Sequence, residues 1–166
     1  RSMTAGTGLD GVATAAGLRA DATSGAWILT AAAAGIPVPT DFELENAPIA
    51  TTTTIASSRN PSTPGSPPSF TATVSAAQAQ DGLPPTGFVS FEIDGTPIAP
   101  AAALDPATGT AVLPASSVPA LDAGAHPVVA RYLGDDAHAA SEASLTQQVD
   151  PEPTALTFAV DPNILW

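Results

Sequence analysis

The chain has 166 residues, a formal net charge of −12 and no cysteine, and its four basic residues are all arginine (Arg1, Arg19, Arg59, Arg131). A sequence with no basic face lacks the means to hold nucleic acid or an anionic membrane surface. With neither thiol nor lysine it forms no disulfide, thiolate metal site or Schiff base. No apolar run approaches the roughly 20 residues of a membrane-spanning helix, and no secretory leader is read in these residues, so any such segment is expected to have been removed or to lie outside this sequence. Eighteen prolines and thirteen glycines disfavour long helices. The acidic, lysine-free, Thr/Ser/Ala/Pro/Gly-biased composition points to an exported protein.

Self-similarity organises the chain. Residues 51–61 read TTTTIASSRNP and residues 153–162 read PTALTFAVDP, an offset of 154 − 51 = 103 residues. Spacings close to those of Gly11-Val12-Ala13, Gly25-Ala26-Trp27 and Ala31 return in Gly109-Thr110-Ala111, Gly124-Ala125-His126 and Ala130, at an offset of about 98 (109 − 11). A period of about 100 residues is too long for a solenoid unit and suits domains in tandem. The sequence therefore reads as the end of one repeat (1–48), a complete repeat (49–150) and the first strand of a third (151–166).

In the complete repeat, short alternating runs separated by Pro, Gly and Asp predict strands near 51–57, 69–75, 87–93, 97–103, 109–113, 124–133 and 142–149. Alternation assigns the faces. Phe70, Ala72 and Val74 share one side of the second strand, and Val89, Phe91 and Ile93 share one side of the third. Ala111 and Leu113 follow, then His126, Val128, Ala130 and Tyr132, then Leu145, Gln147 and Val149. Asp94-Gly95 marks a tight hairpin turn. Seven short strands in about 100 residues predict an all-β, immunoglobulin-like sandwich. Its expected core is Phe70, Val74, Val89, Phe91, Ala130, Tyr132 and Val149.

The residues of this repeat, in order, are Phe88-Val89-Ser90-Phe91, Asp94-Gly95-Thr96-Pro97-Ile98, Gly109-Thr110-Ala111, Ala123-Gly124-Ala125-His126, Ala130-Arg131-Tyr132-Leu133-Gly134-Asp135, Ser141 and Leu145-Thr146-Gln147-Gln148-Val149. Over roughly 51–149 they resemble the bacterial Ig-like repeats (group 3) of large surface proteins. Residues 10–46 are similar to the last three strands of a related repeat: Asp10–Ala13, 25–34 and Pro39–Asn46. The resemblance implies a non-catalytic module at the bacterial surface or outside the cell, serving as stalk, spacer or adhesive surface, with no particular ligand.

Candidate sites are few. His126 opens a strand and is expected to bond backbone. Asp135, Asp136 and His138 lie close enough in sequence to meet a cation, calcium for instance, if their loop curls around it; the alternative is an aspartate-stabilised turn, and no cofactor is expected. Tyr132 is expected to bury its ring and tie its hydroxyl to backbone. Trp27 is expected in a core, with sugar stacking as the alternative. No Gly-x-Ser-x-Gly elbow or paired carboxylates stand out, so an enzyme is not expected. The expected partners are neighbouring repeats or copies of the chain, with an unidentified cell-surface or glycan ligand as a further possibility. One sharper expectation concerns the ends: Thr154, Leu156, Phe158 and Val160 form a strand suited to donation to 1–48 of another copy, building a head-to-tail filament.

Overall fold

The computed structural model describes residues 4–16, 23–35, 37–77 and 83–157. These hold β1 (Gly25–Ala31), β2 (Thr40–Asn46), β3 (Thr51–Ser57), β4 (Phe70–Ala76), β5 (Phe88–Ile93), β6 (Thr96–Ala103), β7 (Thr110–Leu113), β8 (Gly124–Tyr132) and β9 (Ser141–Val149). A three-stranded sheet, β3-β4-β7, faces a four-stranded sheet, β6-β5-β8-β9. The fold is the all-β immunoglobulin-like sandwich read from the sequence, with its seven strands within a residue or two of their expected limits.

The alternation of apolar and polar residues builds the interior. Phe70, Ala72 and Val74 of β4 meet Val89, Phe91 and Ile93 of β5 and Val128, Ala130 and Tyr132 of β8 in one buried cluster. Val149 is buried as well but lies outside that cluster, opposite Ser62. Leu104 and Val118 enter the core from loops, where no alternation marks them. Gln147, inward-facing on β9 and fully buried, is satisfied by polar neighbours: Ser57 Oγ donates to its Oε1 at 2.7 Å, and its amide nitrogen lies 2.9 Å from the carbonyl oxygens of Arg59 and Gln148.

Asp94 and Gly95 both take positive φ (52° and 75°), the backbone of a two-residue hairpin turn that aspartate and glycine tolerate. The edge strand β6 carries Pro97 and Pro100, which remove ladder donors and discourage further pairing. β3 is bracketed by two parallel bridges to the neighbourhood of β9. Ile49 pairs with His138 before β3, and Ser62 pairs with Val149 after it.

N-terminal to the sandwich, β1 and β2 form a separate antiparallel ribbon. The third strand expected at Asp10–Ala13 is not there. Asp10 Oδ1 instead accepts from Val12 N at 3.1 Å, and a single bridge, Thr7 to Ala13, closes a tight turn. An aspartate bonding its own backbone two residues on competes with the ladder. The ribbon reproduces the register of β8–β9. It opens on Gly25 opposite Asn46, as β8–β9 opens on Gly124 opposite Val149, and both glycines take positive φ (134° and 149°).

Candidate functional site

The loop after β8 curls around one carboxylate. Asp135 Oδ1 accepts from the backbone N–H of Ala137 (2.9 Å) and His138 (2.7 Å) and from His138 Nδ1 (2.8 Å). Its Oδ2 accepts from Thr86 N at 2.8 Å and Thr86 Oγ1 at 2.7 Å, joining the entry to β5 to the exit of β8. Burial alone raises this carboxyl's pKa, and the bonds from Thr86, Ala137 and His138 outweigh it, holding Asp135 well below the ordinary carboxylate range.

That arrangement is a clamp that ties the loop to the entry of β5. Both Asp135 oxygens are engaged by donors, and His138 Nδ1 is spent on the same carboxylate. Asp136 is exposed and contributes its backbone carbonyl to Ser24 N at 2.7 Å. Among the described residues no group of three or more His, Cys, Asp or Glu side chains is placed to hold a metal ion. Thr86 is the partner that sequence reading missed. It lies 49 residues from Asp135, and only the fold brings them together.

Beside the clamp lies an open cleft of about 370 Å³ lined by Thr23, Leu83, Pro84, Thr86 and residues 135–138. Tyr132 buries its ring at the end of β8, but the expected bond from its hydroxyl to backbone is not made: Tyr132 Oη is buried without a hydrogen-bond partner. Burial pushes its pKa up to about 12, and the nearby Asp135 charge adds to the rise.

His126 braces the β5–β6 turn. Its Nε2 donates to the Asp122 carbonyl at 2.9 Å, and its Nδ1 lies 2.7 Å from Asp94 Oδ2. Both ring nitrogens face acceptors, an arrangement only the doubly protonated ring satisfies. The Asp94 bond first, then the Asp122 carbonyl, raise its pKa above 6.5. A raised histidine pKa stabilises the fold fully below the unfolded value, and that contribution is lost as pH climbs through the folded value. Urea unfolding is therefore expected to show a lower midpoint at about pH 8.5 than at about pH 6, and His126→Gln to remove the difference.

Trp27 stands in β1 opposite Leu44, beside the Leu29–Phe42 pair, so the four share one face of the ribbon. Phe42 and Leu44 are exposed, and Trp27 and Leu29 are half-buried. The opposite face carries Asp41, Glu43 and Glu45. Of the expected donor strand, Thr154 and Leu156 are exposed and lie in no strand; Phe158 and Val160 lie outside the described residues.

No curated protein matches the chain significantly. The sequence profile of the bacterial Ig-like domain (group 3) matches residues 46–150, which hold all of β3–β9. With the sandwich and the matched span coinciding over more than half of its length, the chain belongs to the bacterial Ig-like domain family, group 3.

Proposed function

We infer that the chain is a non-catalytic structural repeat of a bacterial surface or secreted protein, acting as stalk, spacer or fibre building block. The observation that carries this reading is the placement of entry and exit. The chain joins the sandwich at the Ile49–His138 bridge and leaves beyond the Ser62–Val149 bridge, at opposite ends of β9. A unit threaded in this way extends a chain of like units along one axis. Polar side chains that resemble a site, Asp135, His138 and Gln147 among them, are engaged in holding loops to strands, so the reading calls for no cofactor. Family membership and the acidic, thiol-free, lysine-free composition support a place outside the cell.

The test is antibody labelling of intact cells of the bacterium that encodes the chain. Surface signal that external protease removes, or antigen in the medium, is the expected outcome. Antigen confined to the cytoplasmic fraction would overturn the reading. A second reading, head-to-tail assembly of copies into a filament, is favoured by the apolar face that the β1–β2 ribbon leaves open. A sandwich sheet normally covers such a face with its partner sheet, and a two-stranded ribbon alone is marginal in water.

A further inference from the structure

We propose that Asp135 sets the angle between the β1–β2 ribbon and the sandwich, and so makes the junction between successive repeats a rigid joint; the assignment rests on the tandem-repeat reading, in which the ribbon ends a preceding unit. The Asp135 carboxylate aims two backbone carbonyls. One holds the chain entering β1, and the other holds the chain leaving β2.

The aim passes through two successive peptide planes, both trans. In a trans peptide the N–H and the C=O point to opposite sides. The plane joining Asp136 to Ala137 donates its N–H to Asp135 Oδ1 at 2.9 Å, and its carbonyl accepts from Ser24 N at 2.7 Å. The plane joining Ala137 to His138 donates its N–H to the same oxygen at 2.7 Å, and its carbonyl accepts from Ile49 N at 2.7 Å. A single carboxylate oxygen therefore orients both acceptors. Oδ2 is held by Thr86 at the entry to β5, which fixes the pair relative to the sandwich. Ala139 N closes the contact on the Ile49 carbonyl at 2.8 Å.

Two grips do what one cannot. The connector Ala47–Ala50 alone would let the ribbon swing about its rotatable bonds, of which Pro48 removes only one. The Ser24 grip acts on the other strand. Gly25 pairs with Asn46, and Asn46 Nδ2 donates to the Thr23 carbonyl at 2.6 Å. Held by both strands, the ribbon cannot turn about its connector. The same parts recur one repeat on: Gly124 faces Val149 as Gly25 faces Asn46, and Pro151 follows Val149 at the spacing of Pro48 after Asn46. A stalk built on such joints is stiff, and its units keep one relative orientation.

Residual dipolar couplings measured on the whole isotope-labelled chain test the joint. Wild type is expected to need one alignment tensor for β1–β2 and β3–β9 together. Asp135→Ala, and Asp135→Asn by less, are expected to shrink the ribbon couplings while those of β3–β9 keep their values. Exchange of the Ser24 and Ile49 amides is expected to quicken about tenfold in Asp135→Ala. Ser24→Pro removes one donor outside the sandwich and is expected to shrink the ribbon couplings with no change in melting. Val128→Ala, a core change in β8 at a residue 0% exposed, is the control: it lowers the melting temperature and leaves the ribbon aligned. A wild-type ribbon that reorients independently, or variants at Asp135 and Ser24 that stay aligned, would overturn the proposal. If Asp135→Ala does not fold, Asp135→Asn and Ser24→Pro decide it. A loose joint in a surface protein would sink the joint alone, and a rigid joint in a cytoplasmic protein would sink only the stalk.

Discussion

Phe91→Ala is expected to strip the sandwich of a large share of its stability. Phe91 is 2% exposed and sits in β5, an interior strand of the four-stranded sheet, opposite Ala130 of β8 and Ile98 of β6. Small neighbours such as Ala72, Ala111 and Ala130 line the same cluster and cannot swell into the vacated volume. Removing a core phenylalanine costs about 3–5 kcal/mol, against a total stability of about 5–15 kcal/mol for a domain of this size. At roughly 4–8 °C per kcal/mol the melting temperature falls by tens of degrees. Phe88→Ala is the internal control: it lies in the same strand but is 53% exposed, and its effect is expected to stay within about 0.5 kcal/mol. Thermal unfolding by circular dichroism distinguishes them, and equal melting of Phe91→Ala and wild type would refute the core.

Asp135→Ala is expected to rank second, at about 3–5 kcal/mol. One carboxylate receives five hydrogen bonds from Thr86, Ala137 and His138. Its removal leaves His138 Nδ1, on a side chain 1% exposed, without an acceptor. Asp135→Asn keeps the shape but turns one oxygen into a donor facing N–H groups, and loses less. The pH dependence follows from the depressed pKa. A carboxyl held below its ordinary 3.8 contributes stability above that value and loses it as pH falls through the folded-state value. Wild type therefore weakens below about pH 4, and Asp135→Asn shows a shallower acid limb. Denaturant unfolding across that range, with hydrogen exchange at the Ala137 and His138 amides, measures both effects. An unchanged acid limb in Asp135→Asn would assign the clamp no stabilising role.

The strands were legible because alternation is local. Phe70-Thr71-Ala72-Thr73-Val74 states its inward face in five residues, and Asp94-Gly95 states its turn in two. What was not legible depends on distance or on loops. Leu104 and Val118 reach the core from segments with no period to read. Thr86 and Asp135 are remote in sequence, so a loop that resembles a ligand cluster is resolved as a clamp only when the fold delivers the second partner. Alternation placed Gln147 on an inward face but gave no sign of the Ser57 and Arg59 groups that satisfy it. Likeness to a longer pattern marks Asp10–Ala13 as a strand, while its aspartate favours a local bond.

The two bridges that bracket β3 have a consequence for a chain under tension. β3 and β9 run parallel, the chain entering at the start of one and leaving at the end of the other. Pulling the ends apart slides these strands past each other, so the Ile49–His138 bridge, the hydroxyl contacts along Ser141 and Gln147 and the Ser62–Val149 bridge are loaded in shear, side by side. They resist as a group and do not peel away in turn. Rupture under force is governed by the unfolding rate, and this geometry sets that rate by the whole β3–β9 seam. The resistance of the unit to a force applied at its ends therefore resides in a few hydroxyl and backbone contacts at one edge of the sandwich, apart from the apolar core that fixes its melting temperature.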